Sequence, residues 1–223
     1  MTSTWRDLQE ALTEIAELPM VVRPGVDLGG RAELAQVTGA RRSSVGRMLT
    51  SDGAPPALFH TAATGSVYSI TEVMEYERLP RRWRRNSPDL PPPPCVDAQV
   101  RTLVDQARWR ELEHYFGAGT IARPGQDIAG LAELAKATGR TRDSVRKVLV
   151  VRAAHNQPPR PLVHMRAGGY LWSMTEILGW PGPRGRWGPS KPLTESRIRR
   201  GVPTPTPVPA PTKPTNWNRV MIP

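Results

Sequence analysis

Two groups of side chains in this chain have the types and spacing to do chemistry, and both are built around arginine. The first is Arg41, Arg42, Ser43 and Arg47. The second, one hundred residues on, is Thr141, Arg142, Asp143, Arg146 and Lys147. Arginine grips guanine O6 and N7 through two hydrogen bonds, and a serine or threonine hydroxyl bonds a base edge or a phosphate. The bland alternative is a solvated, charged helix face. Other reactive residue types offer less. His60, His114, His155 and His164 lack metal-ligand spacing. The single cysteine, Cys95, allows neither an internal disulfide nor a CxxC site, and beside four prolines it reads as an incidental linker residue. Paired carboxylates with a pocket, a phosphate-cradling glycine loop and a nucleophile motif are all missing from the pattern. No catalytic residue, metal or cofactor is therefore assigned, and an enzyme is not expected.

The elements that must position these arginines occur twice. VVRPGVDLGGRAELAQVTGARRSSVGRMLT (residues 21–50) aligns without gaps to IARPGQDIAGLAELAKATGRTRDSVRKVLV (121–150). The match resumes at an offset of 104, where Leu58, His60, Gly65, Ser69, Thr71 and Glu72 meet Leu162, His164, Gly169, Ser173, Thr175 and Glu176. Trp5-Arg6-Asp7-Leu8 likewise echoes Trp109-Arg110-Glu111-Leu112. So long a period means a duplicated domain and not a solenoid.

Each copy opens on an amphipathic helix. Trp5, Leu8, Leu12, Ile15 and Leu18 share one face, with Thr4 and Asp7 placed to cap its start. Val100, Leu103, Val104, Ala107, Leu112 and Tyr115 follow the same rule in copy two. Two short helices follow, broken at Gly39 and at Gly139. A tight turn between crossing helices needs positive φ, which glycine supplies. Ala35 and Ala135 allow close approach; Val45 with Met48, and Val145 with Val148, pin the second helix to the core. This is a helix-turn-helix pattern, found twice in register. Gly46 is expected on the outward face beside the arginines.

Alternating apolar residues around glycine then predict a hairpin in each copy: Leu58 to Tyr68, and Leu162 to Trp172. As wings, these would place Thr61, Thr64, His164 and Arg166 along a phosphate backbone. Ser69 with Glu72, and Ser173 with Glu176, box the start of a closing helix.

Each copy resembles the small winged domains of the excisionase, AlpA and MerR-like group common in actinobacteria and their mobile elements. The resemblance rests on Ala-Glu-Leu-Ala at 32–35 and 132–135 with the glycine after it. It rests also on the proline-led wing with Gly65 and Tyr68, or Gly169 and Trp172. It implies DNA binding by the second helix and the wing. The duplication departs from the family pattern, in which such domains occur singly and pair between chains.

The expected fold is mainly α with small β-hairpin wings: two tandem winged helix-turn-helix domains plus a Pro-rich disordered tail. The domains span residues 1–78 and 96–180, joined by a basic and polyproline linker (79–95) with Pro91–Pro94 as a stiff spacer. Residues 181–223 form the basic tail, in which Arg184 and Arg186 are candidate minor-groove contacts. The Arg81–Arg85 run is either a second such arm or a solvated linker.

Charge supports a nucleic-acid partner. The formal net charge is +11, and arginine outnumbers lysine 27 to 4. Residues 1–75 hold 6 basic and 9 acidic side chains, residues 101–180 hold 12 and 7, and the tail 8 and 1, so copy two should supply most of the nonspecific attraction. The sequence reading is a sequence-specific double-stranded DNA-binding protein with a bipartite site, acting as a transcriptional regulator in a bacterial cytoplasm, associated with the nucleoid. The competing readings are an architectural factor of a phage or plasmid (excision, partition or replication control) and a winged-helix protein-interaction scaffold. Self-association, and a protein partner for the Pro-rich tail, stay open. A membrane partner is not expected, because no apolar stretch approaches a spanning length.

Overall fold

The repeated sequence folds into repeated elements. The computed structural model describes residues 4–84, 86–183 and 187. In half one, α1 (Trp5–Ala16) leads to β1 (Met20–Pro24), a 3-10 turn and β2 (Leu28–Gly29). Then come α2 (Arg31–Thr38), α3 (Arg42–Leu49), β3 (Phe59–Thr61), β4 (Gly65–Ser69) and α4 (Ile70–Glu75). Half two has α5 (Ala98–Asp105), α6 (Trp109–Phe116), β5 (Thr120–Pro124), β6 (Ile128–Ala129), α7 (Leu131–Thr138) and α8 (Arg142–Arg146). It continues with α9 (Ala153–Asn156), β7 (Val163–Met165), β8 (Gly169–Ser173) and α10 (Met174–Gly179). The result is a mixed α/β molecule with small antiparallel sheets, ordered β2-β4-β3 in one half and β6-β8-β7 in the other. No described helix is long and apolar enough to cross a membrane.

Local rules account for the helix starts. Thr4 Oγ1 accepts from the Asp7 amide at 3.2 Å, and Asp7 Oδ2 accepts from the Thr4 amide at 2.6 Å, a complete reciprocal cap. At α4, Ser69 Oγ accepts from the Glu72 amide, but the Glu72 carboxylate turns away to Arg6 and Arg23. The same holds for Ser173 and Glu176, whose carboxylate pairs with Arg110 and Arg123. Only half of each Ser-x-x-Glu box forms, because a buried arginine competes for the acid.

Each half carries its own small core. In half one Leu34, Val45, Leu49, Tyr68, Ile70, Val73 and Leu79 are buried together; in half two Leu134, Val145, Leu149, Trp172 and Ile177 are. Two further clusters belong to both halves. One joins Trp5, Leu8, Leu12 and Val22 to Val100, Leu103, Leu112 and Ala122. The other joins Val21, Leu28, Phe59 and Val67 to Ile121, Ile128, Met165 and Leu171.

The seam is the antiparallel pair β1–β5, a strand pair not among the elements read from sequence. Its register sets Val22 opposite Ala122, Met20 opposite Pro124 and Pro24 opposite Thr120. Since residue 122 is the repeat equivalent of 22, the pairing is symmetric about its centre, and the halves are related by a local two-fold. Strand alternation explains the complete burial of β1: Met20 and Val22 enter one shared cluster, Val21 the other. Backbone bonds outside the strands repeat the symmetry, Gly25 N to Gly119 O at 2.7 Å and Gly125 N to Pro19 O at 2.9 Å.

The expected picture of separate domains on a stiff spacer therefore needs correction. Residues Met1–Ser190 make one compact unit, because a single half leaves β1 and its flanking apolar faces uncovered. The polyproline segment is strapped to that body. Trp5 Nε1 donates to the Pro91 carbonyl at 2.8 Å, and Leu90 and Val96 pack on the first shared cluster. Two boundaries also move. The opening helix of copy two is broken into α5 and α6, with Ala107 between them at a φ of 52°. Half two also extends past residue 180, because Trp187 is 1% exposed and closes its core. Trp83 packs against the core of half one, and the offset of 104 relates the two tryptophans. The rest of the 181–223 tail beyond Pro183 lies outside the described residues, as do Arg184 and Arg186.

Candidate nucleic-acid interface

The turn between α2 and α3 is set by Gly39 at a φ of 65°, and between α7 and α8 by Gly139 at 64°. The turn also satisfies the end of α2: Ala40 N donates to Ala35 O at 3.1 Å, and the buried Thr38 hydroxyl donates to Leu34 O at 2.6 Å. Val45 and Val145, both 0% exposed, anchor the second helix of each pair. With its inner face fixed, α3 turns Arg41, Arg42, Ser43 and Arg47 to solvent. Gly46 is not among them. It is buried, and a Cβ there would lie about 3.7 Å from the Arg31 guanidinium, which covers it. In half two, Thr141, Arg142, Asp143, Arg146 and Lys147 are all exposed. The Thr141 hydroxyl is already engaged, accepting from the Ser144 amide at 3.2 Å and donating to Ser144 Oγ at 2.9 Å. It is a helix cap first. Past Arg146 the helix widens by one π turn, Lys147–Val151.

Some of the arginines are taken up by carboxylates of the chain itself. Arg6, Arg23, Arg108, Arg110 and Arg123 each pair with a carboxylate. Arg23 and Arg123 are buried and build the frame of each half. Arg123 contacts Glu113 at 2.8 Å, Asp127 at 3.0 Å, and Glu176. Burial works against the Arg123 charge, yet Glu113 foremost, with Glu176 and Asp127, outweighs it and holds the pKa above its usual value. Hydrogen bonding to Glu72, with its charge, does the same for Arg6. Asp27 adds a brace, accepting from Ser69 Oγ and from the Thr71 amide, both at 2.7 Å; Asp127 does likewise with Ser173 and Thr175. By contrast, Arg41, Arg42, Arg47, Arg142, Arg146 and Lys147 form no ion pair among the described residues. They are exposed cations without a carboxylate partner among the described residues.

The wing residues fare differently. Thr61 is 1% exposed and its hydroxyl bonds Thr64 Oγ1 at 2.6 Å, so it cannot lie along a duplex as expected from sequence. The reason is the two-fold, which folds each wing onto the opposite half. Glu133 accepts from the Ala62 amide while capping α7 through the Gly130 amide; Glu33 accepts from the Arg166 amide while capping α2 through Gly30. His164 is exposed, its ring 4.4 Å from that of Tyr170, and the Arg166 side chain is exposed. Thr64 is half-buried against Gly168.

Sequence reasoning missed one cation beside the α2–α3 pair, Arg31 over Gly46, and left Arg82 within the Arg81–Arg85 run as either a groove arm or a solvated linker. Arg82 stands across an open cleft from Arg41, held there by its neighbour Trp83. The match of Trp83 with Trp187 at the repeat offset was the available signal.

Comparison with protein-family models, with curated proteins and with solved structures gives no match.

Proposed function

We propose that this chain is a sequence-specific double-stranded DNA-binding protein, a fused dimer of winged helix-turn-helix units acting as a transcriptional regulator. The observation that carries the reading is the split among the cations. The buried Arg23 and Arg123 that frame each half are ion-paired, whereas the arginines on the outer side of α3 and α8, like others on the surface, are exposed and unpaired among the described residues, and they stand on helices anchored by Val45 and Val145. Unpaired arginines on a helix backed by a rigid core are suited to base edges and phosphates. The net charge of +11 supplies the nonspecific attraction.

The local two-fold adds an orientation. Two reading helices related by a two-fold meet a duplex as inverted half-sites, as in dimeric helix-turn-helix proteins. The outward residues differ between halves, Arg41-Arg42-Ser43 against Thr141-Arg142-Asp143, so the half-sites are unlike in sequence.

Selection from random-sequence duplexes, followed by footprinting of the full chain, tests this. The expected result is one enriched site with two protected patches in inverted orientation. Failure to enrich any duplex would sink the reading, and recovery of a protein partner instead would favour the scaffold.

A further inference from the structure

We propose that the cleft between the α2–α3 turn and the segment after α4 seats a phosphodiester of the DNA backbone, with Arg41 and Arg82 as its cationic donors. This rests on the DNA-binding reading and names a contact outside the reading helix. The cleft has a volume of about 740 Å³ and opens to solvent. One wall is Gln36 to Arg41 with Ser44; the other is Arg82, Trp83 and Asn86. None of its lining residues is acidic. Two guanidinium groups lining one cleft with no carboxylate among its lining residues favour an anion there, and phosphate oxygens suit the guanidinium fork.

The wall bearing Arg82 is not a loose linker. Trp83 packs on the half-one core near Val37 and Ala40, and its amide donates to Pro80 O at 2.8 Å. Asn86 Nδ2 donates to Val37 O at 3.2 Å, and Arg84 holds the Tyr76 and Glu77 carbonyls at 3.2 and 2.8 Å. Arg82 itself is exposed and has no side-chain partner among the described residues. A fixed backbone carrying a free cation costs little ordering entropy when it binds.

Half two treats the matching place differently. The equivalent of Ala40 is Arg140, whose guanidinium lies 4.9 Å from the Trp187 ring centroid, and its Nε is buried without a hydrogen-bond partner. In half one the small Ala40 leaves that space open. Thr141 stands in half two where half one has Arg41, so the same pair of donors does not recur there.

The test is equilibrium binding of the full chain to its selected duplex and to a scrambled one, across salt concentrations, with Arg82→Ala and Arg82→Lys. Arg82→Ala should weaken both duplexes by a similar factor, about three- to tenfold, and lower the salt slope by about one. Arg82→Lys should restore most of the loss, since phosphate accepts a point charge. Both variants should melt with the wild type. A loss confined to the selected duplex would make Arg82 a base reader and overturn the proposal. Unchanged affinity and slope, with wild-type binding intact, would overturn it while sparing the DNA-binding reading. A wild type that binds neither duplex would remove both.

Discussion

Thr64 and Gly168 hold the same position in the two halves and lie against each other: a Cβ on Gly168 would come 1.9 Å from Thr64 Cγ2. The same holds for Val22 and Ala122, opposite one another at the centre of β1–β5. Near a two-fold axis a residue meets its own equivalent. In a homodimer the two must be identical, whereas a fused chain can set large against small. Both contacts here do so.

Gly168→Ala should therefore destabilise the fold by about 1–3 kcal/mol through overpacking. Thr64→Gly should recover part of that loss in the double variant, because the two positions share one contact. Urea midpoints of the three variants measure the coupling; simple additivity would show that the wings do not touch in solution.

The halves should unfold in one calorimetric transition, since they share two hydrophobic clusters. Expressed alone, residues 96–187 should self-associate through β5, with Ala122 and Gly168 tolerating their own copies. Residues 1–84 should do so less well, because Val22 and Thr64 would each meet themselves. Sedimentation of the two fragments distinguishes these outcomes; two separate transitions and monomeric fragments would contradict the shared core.

On the proposed DNA-binding reading, Arg142→Ala and Arg146→Ala should each cost about 1–3 kcal/mol of specific affinity. Arg41→Ala and Arg42→Ala should cost less, because half two carries the larger basic excess. Competition binding against nonspecific duplex reads the difference. Equal losses from exposed arginines elsewhere would mark the contact as nonspecific.

Arg123 Nε donates to Glu113 at 2.8 Å, while the equivalent Arg23 Nε is buried without a hydrogen-bond partner, 3.7 Å from Asp27 Oδ2. The equivalent of Glu113 is Gln9, which accepts from the Val22 amide instead. Glu113→Gln should cost about 1–3 kcal/mol, the penalty for under-satisfying a buried charged donor. Gln9→Glu should raise stability, by completing in half one the frame present in half two. Thermal melts of both variants check the pair.

Tyr115 donates to Asp97, and the Val100 amide donates to the same carboxylate at 2.9 Å. These bonds hold the Asp97 carboxyl below the usual carboxylate range and push the Tyr115 phenol above its own. A depressed carboxyl contributes stability above its unfolded pKa, lost as pH falls through the folded one. A raised phenol contributes below its unfolded pKa, lost as pH rises through the folded one. The stability difference between wild type and Tyr115→Phe should be flat near neutrality and shrink at both extremes. NMR titration of Asp97 should move up toward the ordinary range in that variant and stay below it, because the Val100 amide still donates.

Local pattern alone settled the elements that carry the arginines. The αL glycines Gly39 and Gly139, the anchors Val45 and Val145, the Thr4–Asp7 cap and the hairpins around Gly65 and Gly169 are each fixed by neighbours in sequence. The exposure of Arg41, Arg42 and Arg47 follows from them by helical periodicity. What duplicated sequence cannot express is which surfaces of the two copies meet. That was decided by β1 and β5, whose short buried runs, apolar but for Arg23, Thr120 and Arg123, lack alternation because both faces are covered. Their pairing buried Thr61, turned the wings across the axis and made one body of an expected pair. The acids at 72 and 176 were drawn off their caps for a related reason: a buried guanidinium 49 or 53 residues away in sequence holds them more strongly than a nearby amide. Contacts distant in sequence belong to the tertiary fold alone.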